Sequence, residues 1–205
     1  MVLPKTGLNE KSVDNMIFDA AVVVTDFKYD KEAKEFIGSP LGATNGGAEV
    51  TTELSYRKIE ADGTYIMDVK NLVVLESGVA SVKFTLMELT AENLRKTING
   101  TITNVKDDEA PEGYQVIKPK RYLDDLDYIE SVAIIGFLKG SAKPVIFSLD
   151  NGLIKTGATI KTEDNKEATV EVEIVAHATL EQLQKDEFPW RIYHPNGLPS
   201  EGGTN

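Results

Sequence analysis

The chain has 205 residues, of which 22 are Lys or Arg and 33 are Asp or Glu, giving a formal net charge of −11, and it contains no cysteine. That length allows one or two domains and one sizeable core. The acidity argues against an electrostatic grip on nucleic acid, which needs an excess of cations, and the missing thiols exclude disulfides, thiolate zinc sites and cysteine nucleophiles.

Residues 1–15 are polar, carry Pro4 and Gly7, and read as an N-terminal arm. They lack the basic start and apolar stretch of a secretory signal, so synthesis and assembly in a cytoplasm are expected. The longest nearly apolar run, residues 132–138, is far shorter than the roughly 20 residues of a spanning helix, and no membrane span is expected. From Met16, the run Ile17, Phe18, Ala20 to Val24, ending at Asp26, predicts a strand buried on both faces. Residues 28–34 are a charged interruption. Residues 39–47, glycine-rich and carrying Pro40, predict a loop that needs positive φ angles or close backbone approach.

Strict alternation follows, with Val50, Leu54 and Tyr56 on one face and Glu49, Thr51, Glu53, Ser55 and Arg57 on the other, the pattern of a half-solvated strand. Asp62-Gly63 predicts a type I′ turn, and Tyr65, Ile66, Met67 and Val69 the returning strand of a hairpin. Gly78 opens a further strand with Ala80, Val82, Phe84 and Leu86 facing one way. A helix is predicted over 90–99: Thr90 is the N-cap, Glu92 suits the positive end of the dipole, Leu89 and Leu94 form a staple, and Asn99-Gly100 stops it. Residues 104–121 read as a long acidic loop. Strands follow at 128–138, 145–149 and 154–160, with turns at Asp150-Asn151-Gly152 and Asp164-Asn165. The last strand covers 169–177, with Val170, Val172 and Ile174 inward and Glu171 and Glu173 outward. Thr179 and Gln182 have capping-box spacing for a short helix ended by Phe188-Pro189, after which Trp190, Ile192 and Tyr193 lie on an irregular segment. The fold class expected is mainly β: an antiparallel sandwich or barrel-like domain over 16–178 with one flanking helix, followed by a C-terminal appendage over 179–205.

Chemistry-bearing patterns are sparse. His177 and His194 have no partner at ligand or general-base spacing and read as surface imidazoles. The cluster Asp124, Asp125, Asp127 and Glu130 lacks the spacing of a dedicated cation loop and reads as a solvated charge run. The segment 42–47 neither follows a P-loop pattern nor opens a helix. Trp190 and Tyr193 read as core or interface anchors. No catalytic residue, metal or cofactor is expected.

The order Gly42-Ala43-Thr44-x-Gly46-Gly47, then Thr52-Glu53-Leu54-x-Tyr56-Arg57-x-Ile59-Glu60, then Asp62-Gly63-Thr64, resembles the major tail tube proteins of bacteriophages with long, non-contractile tails. So does Val79-Ala80-Ser81-Val82-Lys83-Phe84-x-Leu86 followed by Glu88-Leu89-Thr90-Ala91-Glu92-Asn93-Leu94. The resemblance covers residues 16–100. It implies a structural virion protein assembling as six-membered rings stacked into a hollow tube, the conduit for double-stranded DNA, in a virion tail built in a bacterial cytoplasm. Partners implied are further copies of itself, tape measure, tail terminator and distal tail proteins, with no membrane. It also implies that a long hairpin, here 39–70, and the termini reach the neighbouring ring, making Gly42, Ala43, Thr44, Gly46, Gly47, Asp62 and Gly63 the candidate inter-ring contacts.

Passing phosphates demand a lumen wall that is not positive. Glu49 with Glu53, or Glu171 with Glu173, each pair sharing a strand face, are the alternative lumen candidates, since alternation alone does not say which face looks inward. The competing readings are the inner tube of a contractile tail or secretion apparatus, a ligand-binding β-sandwich, which should cluster its aromatics on one face, and an enzyme, which lacks a nucleophile and base.

Overall fold

A computed structural model describes residues 8, 12–63, 67–105 and 111–196 of the chain. Antiparallel strands dominate: β1 (Ile17–Asp30), β2 (Glu35–Pro40), β3 (Thr44–Lys58), β4 (Val73–Leu86), β5 (Gly100–Asn104), β6 (Gln115–Pro119), β7 (Ile129–Leu138), β8 (Pro144–Ile154), β9 (Thr159–Lys161), β10 (Thr169–Val175) and β11 (Trp190–Tyr193). Two short helices, α1 (Ala91–Thr97) and α2 (Leu180–Gln184), interrupt them. The fold is therefore mainly β and antiparallel, as the alternation and turn spacing predict.

One ladder runs β2-β1-β7-β8-β10-β4-β3, with β11 on β8 and β9 on β10. It turns over at β8. Residues 144–152 of β8 pair with β7, whereas Leu153 and Ile154 pair with β10. Just before the changeover, next to last in the first stretch, Asn151 takes φ +47°, a left-handed conformation that Asn tolerates and that bends the strand from one layer toward the other. The halves then pack face to face. Val23 of β1, Val132 and Ile134 of β7 and Leu149 of β8 meet Val82 and Phe84 of β4 and Val170, Val172 and Ile174 of β10 in one core. Burying each such side chain contributes about 1.5–3 kcal/mol.

The outward side of the β1-β7-β8 layer has a small apolar cluster of its own. Asp26, at φ +54°, makes a bulge in β1 that reverses the facing of the residues after it. Phe27 is thereby turned outward onto Ala133 and Ile146.

Several predicted boundaries shift. The charged interruption at 28–34 is the tip of a β1–β2 hairpin, closed where Asp30 accepts the amides of Glu32 at 2.8 Å and Ala33 at 3.1 Å. The loop expected over 39–47 shrinks to 41–43; Gly46 and Gly47, both at φ +80°, form a bulge inside β3. Of the return strand expected at 65–69, the described residues 67–69 are in no strand, and β3 pairs instead with β4, one strand from Val73 to Leu86; of the Asp62-Gly63 pair only Gly63 has a positive φ, so the turn is not type I′. Residues 64–66 lie outside the described residues.

Part of the expected acidic loop is the β5–β6 hairpin, and residues 106–110 lie outside the description. The turn expected at 150–152 is the bend within continuous β8, and of 154–160 only the last two residues join strand β9. The irregular segment at 190–193 is strand β11, paired with β8 from Trp190↔Leu149 to Tyr193↔Ile146.

The helix ends follow the sequence closely. Thr90 caps α1, accepting Asn93 N–H at 3.1 Å, and Asn99 takes φ +48° just beyond it. Thr179 and Gln182 form the expected reciprocal capping box on α2. Most of the expected arm at 1–15, and residues 197–205, fall outside the described residues.

Candidate functional site

The four candidate carboxylates share one surface. In register, Glu49 of β3 stands opposite Lys83 of β4, and Lys83 opposite Glu173 of β10; Glu171 lies one step along, opposite Thr85. Because Val82, Phe84, Val172 and Ile174 of these strands point into the core, the alternate residues point out together. The two Glu pairs, alternatives in the sequence, therefore line a single outer face of the β3-β4-β10 layer. Its charge is patterned and not uniformly negative. Lys83 Nζ lies 3.5 Å from Glu173, and Lys161 of β9 is paired with Glu171, whose hydrogen bond raises the Lys161 pKa.

Beyond the sandwich, β3 and β4 continue as a two-stranded arm. The expected buried face of Val50, Leu54 and Tyr56 ends at Val50: Leu54 is 43% and Tyr56 59% exposed, although both are large apolar or aromatic residues. Val73, Val74 and Leu75 opposite them are also exposed. Sequence alternation missed this surface, yet it left a signal. The run Leu72 to Leu75 is apolar at consecutive positions, and so on both faces, in a strand pair too long for one core to cover. At its root Ser55 Oγ and Ser77 Oγ are 2.7 Å apart, and farther out Lys58 Nζ donates to the Met67 carbonyl and pairs with Asp68 at 3.1 Å.

The inter-ring candidates divide into three places. Gly42 and Ala43 are packed against the approach to α1, where Glu88 accepts the Ala43 amide at 2.9 Å and Met87 donates to the Ala43 carbonyl, also at 2.9 Å; Thr44 pairs with Leu86. Asp62 and Gly63 sit at the outer end of the arm. Gly46 and Gly47 form the bulge at the opposite end of β3, with open space where a Cβ would stand. That bulge, with Ala48 and Val50, borders a cleft of about 630 Å³ between the layers, completed by Ile17, Ala21, Ile134, Gly136 and Phe147. Among the described residues the side chains that line it are apolar, and the glycines expose backbone.

The remaining candidates are structural. Asp127 is buried, which corrects the solvated charge run: Lys120 Nζ lies 2.8 Å and Arg95 3.7 Å from its carboxylate, which also accepts the Asp124 amide at 2.9 Å. Arg95 also holds Glu92, and Lys120 holds Asp124 at 2.6 Å, so both carboxyl pKa values are lowered. The network pins α1 to the segment leading into β7.

His177 meets the Val175 carbonyl at 2.9 Å and Tyr128 edge-on, while His194 lies 3.0 Å from the Pro195 carbonyl. Among the described residues no group of three or more His, Asp or Glu is arranged to hold a metal. Trp190 packs on the core, and Tyr193 joins Phe27, Tyr29 and Phe36 on the outer face of the β1-β7-β8 layer, with Phe36 to Tyr193 ring centroids 5.1 Å apart. Among the described residues no helix is long and apolar enough to cross a membrane.

No protein-family model and no curated protein matches the chain. Among solved structures, it is similar to a chain in the tail of an empty gene transfer agent (GTA) particle with C6 symmetry, at 12% identity over 84% of this chain and 96% of that one, TM-score 0.40. A chain in the virion of a native gene transfer agent particle gives 13% identity over 78% and 92%, TM-score 0.37. A chain in the six-fold symmetrised baseplate of the anti-feeding prophage gives 12% over 87% and 95%, TM-score 0.43.

Proposed function

We propose that this chain is a non-enzymatic structural subunit that self-assembles as stacked six-membered rings into the tube of a phage-type virion tail, the conduit for double-stranded DNA. The observation that carries the proposal is the β3–β4 arm, whose apolar side chains are exposed on both faces beyond the core and call for a covering partner. Two further features support it. The ladder ends in open edges at β2 and β3, which a closed ring of copies would pair. The shared face of Glu49, Glu53, Glu171 and Glu173 supplies a wall from which phosphates slide. The number six, the tail location and assembly in a bacterial cytoplasm come from the resemblance of residues 16–100, as do the tape measure, terminator and distal tail proteins as partners.

Negative-stain imaging of the purified chain tests the proposal: rings or tubes are expected, and a monodisperse monomer at high concentration overturns it. A second reading, the inner tube of a contractile tail, is favoured by one feature. Val22, Tyr29, Phe36 and Phe137 are 42–55% exposed on the outer face of the β1-β7-β8 layer, a surface that a surrounding sheath would cover. Tubes stable and dispersed without any second protein would speak against that version.

A further inference from the structure

We infer that the outer side of the β1-β7-β8 layer holds a binding site for a neutral saccharide, in the trough between β1 and β11. Such a site goes beyond assembly and is independent of the tube reading.

Aromatic residues that the sequence scatters are gathered here. Strands β2 and β11 stand at the two edges of this layer, with β1, β7 and β8 between them. A flat layer would hold these edges about 19 Å apart, at four strand spacings. Yet the rings of Phe36 on β2 and Tyr193 on β11 are 5.1 Å apart, and Phe27 on β1 lies 5.2 Å from the first and 6.1 Å from the second. The layer curls around this side and makes it concave. Beside the rings opens a trough of about 590 Å³, within the roughly 300–1,000 Å³ of small-molecule sites.

The floor of the trough is Ser131 of β7 and Ser148 of β8; β1 supplies Phe27 and Tyr29 on one side, and β11 supplies Arg191 and Tyr193 on the other. Both floor hydroxyls keep capacity for a ligand. Ser131 Oγ donates to the Phe27 carbonyl at 2.8 Å and remains an acceptor. Ser148 is only 4% exposed, and its hydroxyl has no partner among the described residues, whereas a buried hydroxyl ordinarily has one. Asp150, at the rim, is held in place: Gln182 donates to its Oδ2 at 2.8 Å and Arg191 pairs with the same oxygen, so Oδ1 keeps its acceptor capacity.

These groups select a ligand by its chemistry. The charges that line the trough, Asp26, Glu130 and Asp150 against Lys28 and Arg191, nearly cancel, so neither a phosphate nor a polycation gains a net pull. A wholly apolar ligand would leave Ser148 and Asp150 dry and unpaired. A sugar ring meets both demands. Its hydroxyls donate and accept among interleaved carboxylate, guanidinium and hydroxyl groups, and its apolar C–H face packs on the ring of Tyr29, which is 51% exposed.

Saturation-transfer NMR on the full chain tests the site, with maltotriose, cellotriose, mannotriose and chitotriose as probes. Saturation of at least one probe is expected, concentrated on the C–H protons of one ring face. Tyr29→Ala should weaken that binding about tenfold and Ser148→Ala about fivefold. Tyr29→Phe should preserve it, and so should Phe137→Ala, at a ring exposed on the same layer outside the trough. Ser148→Ala guards against misfolding: it removes a buried hydroxyl that lacks a partner, so the variant should melt no lower than the parent. No saturation of any of the four probes overturns the inference, as does binding that neither Tyr29→Ala nor Ser148→Ala weakens. The measurement serves dispersed and assembled chain alike, so a chain that binds sugar without forming tubes removes the tube reading alone, and tubes that bind no sugar remove the saccharide site alone.

Discussion

Phe188 seats its ring on Gly78: a methyl group built on that glycine would stand 2.5 Å from Phe188 Cε1 and 3.1 Å from Leu54 Cδ2. The segment between α2 and β11 thus braces the arm where it leaves the sandwich, and only glycine leaves room for the ring. Gly78→Ala should cost about 1–3 kcal/mol through overpacking. Phe188→Ala, at a ring 39% exposed, should cost about 1–2 kcal/mol. The double variant should cost less than the sum, because both changes remove one contact. Urea midpoints at constant slope measure all three; strict additivity would show that the contact contributes nothing.

Asp127 is expected to be the most sensitive charged residue outside the core strands. Asp127→Ala removes the buried carboxylate that accepts the Asp124 amide, pairs with Lys120 and faces the Arg95 charge at 3.7 Å, and should cost about 2–4 kcal/mol. Asp124→Ala, on the exposed side of the same network, should cost much less. Thermal unfolding of the two variants side by side checks the ranking.

The same network sets a pH dependence. Lys120 and Arg95 hold the carboxyls of Asp124 and Glu92 below their ordinary 3.8 and 4.5. A carboxyl depressed by folding binds protons more weakly in the native state, so its stabilisation is present above the unfolded value and is lost as pH falls through the folded one. Lys120 is raised above 10.5, chiefly by Asp124, so its share is present below that value and is lost only at higher pH. Stability should therefore fall in acid, with a plateau through neutrality, and Lys120→Met should flatten the acid limb. An acid limb of unchanged slope in that variant would assign it to other carboxyls.

Since both glutamate pairs occupy one face, reversing either should have the same consequence in a tube. Glu49→Lys with Glu53→Lys, or Glu171→Lys with Glu173→Lys, should permit assembly but retain DNA, with retention falling as salt rises. Glu130→Lys, exposed on the opposite layer, serves as the control and should not retain DNA. Normal DNA release from intact tubes in both double variants would remove this face from the lumen.

What the sequence revealed depended on whether a residue's local pattern and its tertiary setting agreed. Val82, Phe84, Val172 and Ile174 alternate and are buried, so β10 and the inner half of β4 were legible, as were the Thr90 and Thr179 caps, which are local by nature. Asp150-Asn151-Gly152 carries the residues of a chain reversal, but the positive φ of Asn151 serves a bend within a continuing strand, a distinction only the neighbouring strands decide. Gly46-Gly47 misled in the same way, since a bulge and a loop ask for the same freedom of φ. Asp127 lies in a run of acidic residues typical of a wet surface; its cations, Arg95 and Lys120, are 32 and 7 residues away, and nothing local announces them. The face shared by Glu49 and Glu173 was hidden because Lys83, the residue that aligns them, lies on a third strand.

The bend in β8 has a mechanical meaning. Two packed layers joined only by side-chain contacts and surface loops can be peeled apart, one weak contact at a time. Here a single backbone enters from one layer and leaves through the other, paired with β7 as far as Gly152 and with β10 from Leu153. A load that pulls the layers apart must stretch covalent bonds or shear two ladders together, so the subunit resists distension as a unit.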